Sequence, residues 1–294
     1  MEKKIKKHSG YVALIGRTNV GKSTFLNAIL ETKVSIVSNK PQTTRKQIRG
    51  IKTTENGQII FFDSPGIHKP YFKLNERMMK DVHASLVDAD LVLYFMEMDD
   101  QREDDFAISM FENAGKPIFL LINKIDKYNK AKALEKINRF KDAYQWSEIV
   151  PLSALRGVNV DLIEELIYKY LPENENFYPE EEWTLQTERF YVSEIIREKV
   201  LVSAEAELPF TTTVKVEEIT DKEKIMFIRA EIYVETRSQK KILVGKHGNF
   251  VKHVGETARK DLEDYFEKQV YLDLFIKVVP NWRNSPHILS QLDE

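Results

Sequence analysis

No cysteine occurs among the 294 residues. Disulfides and thiolate metal sites are therefore excluded, and the chain suits a reducing compartment. Long apolar runs are missing too, since no window approaches the ~18 apolar residues that a membrane-spanning helix requires. Neither sign of charge dominates. The formal net charge of −2 argues against a surface that is basic all over, but it averages over domains and leaves room for a local basic patch. The start, Met1-Glu2-Lys3-Lys4-Ile5-Lys6-Lys7-His8, is basic as in a signal peptide. The apolar stretch that follows, Tyr11-Val12-Ala13-Leu14-Ile15-Gly16, is too short for a signal core and runs into a glycine-rich turn, so a solvated tail is expected.

What is present fits a globular protein. Hydrophobic residues make up 42% and charged residues 31%, and the length suits two cores better than one. Apolar runs at Tyr11–Gly16, Ile59–Phe62, Leu91–Met96, Ile118–Ile122 and Ile149–Pro151 predict strands buried on both faces. Helices are predicted between them, over Lys22–Leu30, Asn75–Leu86, Asp104–Asn113, Ala131–Phe140 and Val160–Leu171. Strand–helix alternation implies an α/β domain with a doubly wound, mostly parallel sheet, whose ligand sits beyond the C-terminal strand ends. The alternation stops at Pro172. Residues 173–182 carry five glutamates, no basic residue and Pro179, the composition of a linker. Beyond it the predicted order is a helix over Thr187–Glu205, strands over Thr211–Ile219 and Lys224–Glu235, helices over Ser238–Val244 and Phe250–Phe266, and a strand over Val270–Val279. That α-β-β-α-α-β order belongs to a separate α+β domain. The expected division is 1–172, a linker over 173–185, and 186–294.

Gly16-Arg17-Thr18-Asn19-Val20-Gly21-Lys22-Ser23 matches the phosphate-loop pattern G-x-x-x-x-G-K-[ST] between a predicted strand and a predicted helix. A polyphosphate needs many converging N–H donors, and a glycine-rich turn lets backbone approach that closely. The helix start adds donors and a favourable dipole. Lys22 would neutralise β/γ-phosphate charge, and the Ser23 hydroxyl would ligate Mg²⁺. The base is read further along. Asn123-Lys124-Ile125-Asp126 follows the strand ending at Ile122, where the Asp126 carboxylate can accept from guanine's ring N–H and exocyclic amino group. Adenine lacks that donor pair, so an unpaired carboxylate disfavours it. Ser153-Ala154 after the next strand fits a second guanine contact through backbone N–H.

Asp63-Ser64-Pro65-Gly66 closes another strand. Asp63 can hold Mg²⁺ through water, and the Gly66 N–H can turn onto the γ-phosphate. In Pro41-Gln42-Thr43-Thr44-Arg45 either threonine could complete the metal shell, with Thr44 favoured. Loss of the γ-phosphate would release both segments, so these are the expected switch regions. One group is missing: Ile67 stands where Ras-type enzymes carry a water-orienting glutamine, so slow intrinsic hydrolysis is expected. Asn19 either helps to hold a K⁺ ion against the phosphates, as in GTPases with asparagine here, or merely suits the turn.

In the second domain Gly245-Lys246-His247-Gly248 lies between two predicted helices, a turn that clamps a nucleic-acid backbone in KH domains. From Arg237 to Lys260 seven basic residues (Arg237, Lys240, Lys241, Lys246, Lys252, Arg259 and Lys260) face one acid, Glu256. Single-stranded RNA would lie along this basic face, with bases against apolar residues such as Ile242 and Val251.

These motifs together resemble the Era family of bacterial ribosome-assembly GTPases. The resemblance extends to Ile67-His68-Lys69-Pro70, Glu194-Ile195-Ile196-Arg197-Glu198-Lys199, Glu207-Leu208-Pro209, Ser238-Gln239-Lys240, Ala258-Arg259-Lys260-Asp261-Leu262 and Asn281-Trp282-Arg283. It implies a P-loop GTPase domain followed by a type II KH domain, with GTP or GDP and Mg²⁺ as ligands. It further implies binding near the 3′ end of 16S rRNA, a role in assembly of the 30S subunit, and a cytoplasmic protein associated peripherally with the inner membrane. A monomer is expected. Thr18 and Ser64 stand where proline and threonine are usual, and His247 replaces the second glycine of Gly-Lys-Gly-Gly. The rival reading is an RNA-binding scaffold that responds to nucleotide with negligible turnover.

Overall fold

A computed structural model describes residues 6–99, 105–112 and 114–292. Most of the basic start, and both ends of the helix predicted over Asp104–Asn113, fall outside them. The chain forms two compact units. The first holds the residues up to Ser35, Thr44–Lys69 and Arg77–Leu185, and the second holds Ile36–Thr43, Pro70–Glu76 and the chain from Gln186.

The first unit is built on β1 (Gly10–Gly16), α1 (Lys22–Leu30), β2 (Ile48–Thr54), β3 (Gly57–Asp63), α2 (Lys73–Asp88, from Arg77 on), β4 (Leu91–Glu97), α3 (Asp105–Phe111), β5 (Ile118–Asn123), α4 (Lys130–Phe140), β6 (Glu148–Pro151) and α5 (Val160–Tyr170). The six strands run in the order β2-β3-β1-β4-β5-β6. All pairings are parallel except β2 with β3. Every residue of β5 is buried, as an apolar run without alternation requires when helices cover both faces. The sheet order reverses beside β1, so the loop after β1 opens at the switch point where α/β folds bind ligands.

Strand β2 was not among the predicted elements. Its sequence, Ile-Arg-Gly-Ile-Lys-Thr-Thr, carries a glycine and two charges, and it earns its place at the sheet edge by pairing antiparallel with β3 across the two-residue turn Glu55-Asn56. The acidic stretch 173–185 lies in the first unit, laid along that edge. The Ile51 N–H donates to Trp183 O, and the Leu185 N–H donates to Arg49 O. Gln58, fully buried, fixes the stretch further: its Oε1 accepts from the N–H groups of Phe177 and Tyr178, both at 3.0 Å, and its Nε2 donates to Tyr178 O. These bonds satisfy edge backbone that would otherwise stand open.

The second unit contains α6 (Glu188–Ser203), α7 (Leu208–Thr211), β7 (Thr213–Lys222), β8 (Ile225–Val234), α8 (Arg237–Val244), α9 (Asn249–Phe266), β9 (Gln269–Val278) and α10 (Pro286–Gln291). The sheet order is β7-β8-β9, antiparallel then parallel. One face packs on the helices through Val192, Ile196, Ile228, Ile232, Val254 and Leu262. The short α7 and α10 and the turn around Trp282 were not foreseen. Trp282 is 1% exposed, and its Nε1 donates to Thr211 O at 2.8 Å. Trp282→Ala should destabilise this unit by about 3–5 kcal/mol, whereas Trp282→Phe, which strands one carbonyl, should cost about 1–3 kcal/mol. Denaturant unfolding of the two variants tests that ranking. Among the described residues no helix is long and apolar enough to cross a membrane.

Segment 36–43 joins this unit through its own contacts. Ile36 is buried in its core, the Val37 N–H donates to the Glu198 carboxylate at 3.1 Å, and Arg197, itself buried, donates to Thr43 O. Arg197 is paired on its other side with Glu194, which offsets part of the cost of burying a guanidinium.

Candidate nucleotide site and RNA-binding turn

The loop Gly16–Lys22 leaves β1 and enters α1, and the first N–H groups of a helix lack helical partners. Gly21 has φ 100°, and a Cβ there would stand 2.2 Å from Asn123 Nδ2, so both conformation and space demand glycine. Lys22 is buried and its Nζ donates to Gly16 O at 3.0 Å and Arg17 O at 3.1 Å. Burial pushes its pKa down to about 8, against the opposing pull of Asp63. The ammonium is thus folded back over the loop it would leave for a polyphosphate.

Three oxygens meet beside it. Ser23 Oγ donates to Asp63 Oδ2 at 2.6 Å and lies 2.9 Å from Thr44 Oγ1. Asp63 also accepts from Ser35 Oγ at 2.9 Å, a contact that no motif indicated. Burial raises the Asp63 pKa, and its other oxygen, Oδ1, is buried without a partner among the described residues. An orphaned carboxylate oxygen beside two hydroxyls fits a hard cation that takes oxygen ligands, as Mg²⁺ does. The Thr43 hydroxyl donates instead to Lys40 O at 2.7 Å. Ser64 anchors the loop after β3 through a 2.7 Å bond to Leu14 O.

Asn123 ties the motifs together. Its Nδ2 donates to Val20 O in the phosphate loop at 2.8 Å, while Oδ1 accepts from Lys124 N and Ala154 N. The Ala154 N–H, expected to face guanine, is therefore engaged by Asn123 here. Asp126 is exposed and held on one side by Ser153 Oγ, which donates to its Oδ1 at 2.5 Å. Lys124 extends to Glu97 at 2.9 Å, and Asn19 stands exposed in the left-handed region at φ 63°, a conformation asparagine adopts readily.

In the second unit, α8 ends and α9 begins around Gly245–Gly248. Helix α8 starts on a capping box between Thr236 and Gln239. Gly245 has φ 72°, and a Cβ there would meet Phe250 N at 2.9 Å, whereas Gly248 has φ 80° and open space around it. His247 occupies the left-handed region at φ 54°, which explains why a glycine is usual in this turn: the strain of a side chain there is about 1–2 kcal/mol. Lys240, Lys241, Lys246, Lys252, Arg259, Lys260 and Ile242 are all exposed. The basic residues of the motif therefore form a solvent-facing surface, partly offset by Glu256, 3.9 Å from Lys252, and by Glu263, 3.8 Å from Arg259.

A phosphate-loop site on a six-stranded α/β sheet, joined in one chain to a three-stranded unit with a basic G-x-x-G turn, defines a P-loop GTPase carrying a KH domain. The family model for 50S ribosome-binding GTPases matches residues 11–124, and the KH domain model matches residues 207–283. GTPase Era of Caldanaerobacter subterraneus subsp. tengcongensis is 46% identical over 288 residues, 97% of each chain. A crystal structure of Era with MgGDPNP and nucleotides 1506–1542 of 16S ribosomal RNA superposes with a TM-score of 0.93 at 38% identity, covering 97% of this chain and 98% of that one. A variant of Aquifex aeolicus Era bound to GDP·AlF4⁻ gives the same TM-score, identity and coverage. The chain belongs to the Era family of GTPases.

Proposed function

We propose that this chain hydrolyses GTP and binds 16S rRNA near its 3′ end, with the bound nucleotide gating the RNA, and that it thereby assists assembly of the 30S subunit. The observation that carries this reading is the coexistence, in one chain, of the Ser23–Thr44–Asp63 oxygen cluster beside a phosphate loop and an exposed basic G-x-x-G turn. A relative of the same fold was crystallised with both a GTP analogue and that RNA.

In this reading Gly16–Ser23 cradle the phosphates with backbone N–H groups, and Lys22 neutralises their charge. Ser23, Thr44 and Asp63 would hold Mg²⁺, which when bound would supply positive charge against the phosphates. Ser64, Pro65, Gly66 and Ile67 form the segment that responds to the γ-phosphate. Asp126 selects guanine, with Ser153 orienting its carboxylate and Asn123 bonded to Ala154 behind it, and Asn19 assists K⁺, which comparing hydrolysis in KCl and NaCl tests. Lys240, Lys241, Lys246, His247, Lys252 and Arg259, with Gly245 and Gly248, grip the RNA backbone. The GTP-binding domain takes in 173–185 along its sheet edge, and the KH domain is the chain from 186 to 294, with segments 36–43 and 70–76 grouped with it. A cytoplasmic monomer with peripheral association to the inner membrane completes the reading.

Binding of a labelled RNA with the 16S 3′-terminal sequence tests it, with GTP analogue, with GDP and without nucleotide. Tighter binding with the analogue is expected. Equal, weak binding to that RNA and to a scrambled control would remove rRNA as the target while leaving the GTPase in place.

A further inference from the structure

The position that carries a water-orienting glutamine in Ras-type enzymes is Ile67, and its side chain is spent elsewhere. Ile67 is 6% exposed and packs in a core cluster with Ala13, Ile15, Met79 and Val82. Its backbone is pinned to the phosphate loop, since the Ile67 N–H donates to Gly16 O at 3.0 Å and Ile67 bridges Arg17 in parallel. The preceding residue is equally close: a Cβ on Gly66 would lie 2.6 Å from Thr18 N and Cα. This segment therefore lies against residues 16–18 of the loop. Ile67 is turned into that core, and His68, the next residue, is half-buried.

The His68 ring is oriented by a local bond. Its Nδ1 lies 2.6 Å from Gly66 O. A carbonyl oxygen can only accept, so Nδ1 carries a proton, and the tautomer with that proton alone has its lone pair at Nε2. That Nε2 is buried and has no partner among the described residues. A buried acceptor without a donor costs free energy, and one held two residues from Gly66 points to a functional use.

We propose that His68 is the positioning residue for the attacking water, with Nε2 accepting a hydrogen bond that Ile67 cannot offer. The inference rests on the GTPase reading. In the reaction the water oxygen bonds to the γ-phosphorus as the bond from that phosphorus to the β–γ bridging oxygen breaks. The electron pair leaves on GDP, and the proton released from water ends on the inorganic phosphate. His68 returns unchanged, having restricted the water to the line of attack.

Single-turnover hydrolysis of GTP by the full chain, with Mg²⁺ and K⁺, tests this in His68→Ala and His68→Gln. Alanine should lower the rate constant about tenfold or more, with GTP and GDP dissociation constants within about threefold of the parent. Glutamine, whose amide oxygen also accepts, should restore most of the rate. Parent-like hydrolysis in His68→Ala would overturn the proposal. So would equal losses in both variants, or a rate loss matched by loss of nucleotide affinity, since those mark a purely structural side chain. If the parent itself shows no turnover above the buffer blank, the GTPase reading fails first, and it does so independently of either variant.

Discussion

Asp126→Asn should lower GTP affinity by about 10³-fold or more and create affinity for XTP. The direction follows from one hydrogen bond. Ser153 Oγ donates to Asp126 Oδ1 at 2.5 Å, so an asparagine at 126 would keep its amide oxygen toward Ser153 and turn its NH₂ toward the base. Guanine presents two donors there and would meet a donor, whereas xanthine presents a carbonyl and would meet its complement. A mismatch of two hydrogen bonds in a covered site is worth about 4 kcal/mol, the energy of a thousandfold change. Displacement of a fluorescent GDP analogue by GTP and XTP measures it. GTP affinity within about threefold of the parent would remove Asp126 as the base reader.

The second large effect is expected at the RNA turn. Gly248→Asp should reduce binding of the 16S 3′-terminal RNA by about a hundredfold or more while leaving GTP affinity unchanged. Gly248 has open space around its Cβ position and φ 80°, and aspartate tolerates the left-handed region better than most residues. The fold should therefore survive, and the new carboxylate would stand where a phosphate must approach. Gly245 would be the wrong choice, because a side chain there collides with Phe250 and would confound misfolding with lost contact. Fluorescence anisotropy with labelled RNA and labelled GDP separates the two readouts. Loss of both affinities would show that the two units do not act separately, and unchanged RNA binding would exclude this turn as the clamp.

Much of this molecule is legible in the chain because its chemistry is local. A phosphate loop must sit between a strand and a helix, and α1 begins at Lys22 and ends at Leu30 as its pattern demands. Strands β1, β3, β4, β5 and β6 are apolar enough to stand out at one-residue resolution near most ends. The α-β-β-α-α-β order of the second unit, the G-x-x-G turn and its basic neighbours are likewise local. Strand β2 was missed because an edge strand answers to its partner. Its Arg49, Gly50 and Lys52 carry no apolar signal, and only pairing with β3 makes them a strand. The order along 173–185 was missed for a related reason: its acidic, proline-containing composition reads as a linker, yet its partners are Gln58 and the β2 edge, more than a hundred residues earlier.

The site divides in the same way. Spacing alone determined that a nucleoside triphosphate would be bound, that guanine would be preferred, and that a water-orienting glutamine is missing. Tertiary structure decided which threonine stands with Ser23 and Asp63, because Thr43 turns to the Lys40 carbonyl. It decided that Asn123 staples the phosphate loop to Ala154, that Ile67 belongs to the core and that one ring nitrogen of His68 has no partner among the described residues. It also decided that Ile36–Thr43 belongs to the second unit, through Arg197 and Glu198. The physical reason is common to all of these. A motif fixes what a residue can do through its own atoms and near neighbours, whereas a hydrogen bond between residues 154 or 161 positions apart exists only once the packing of the whole chain has brought donor and acceptor together.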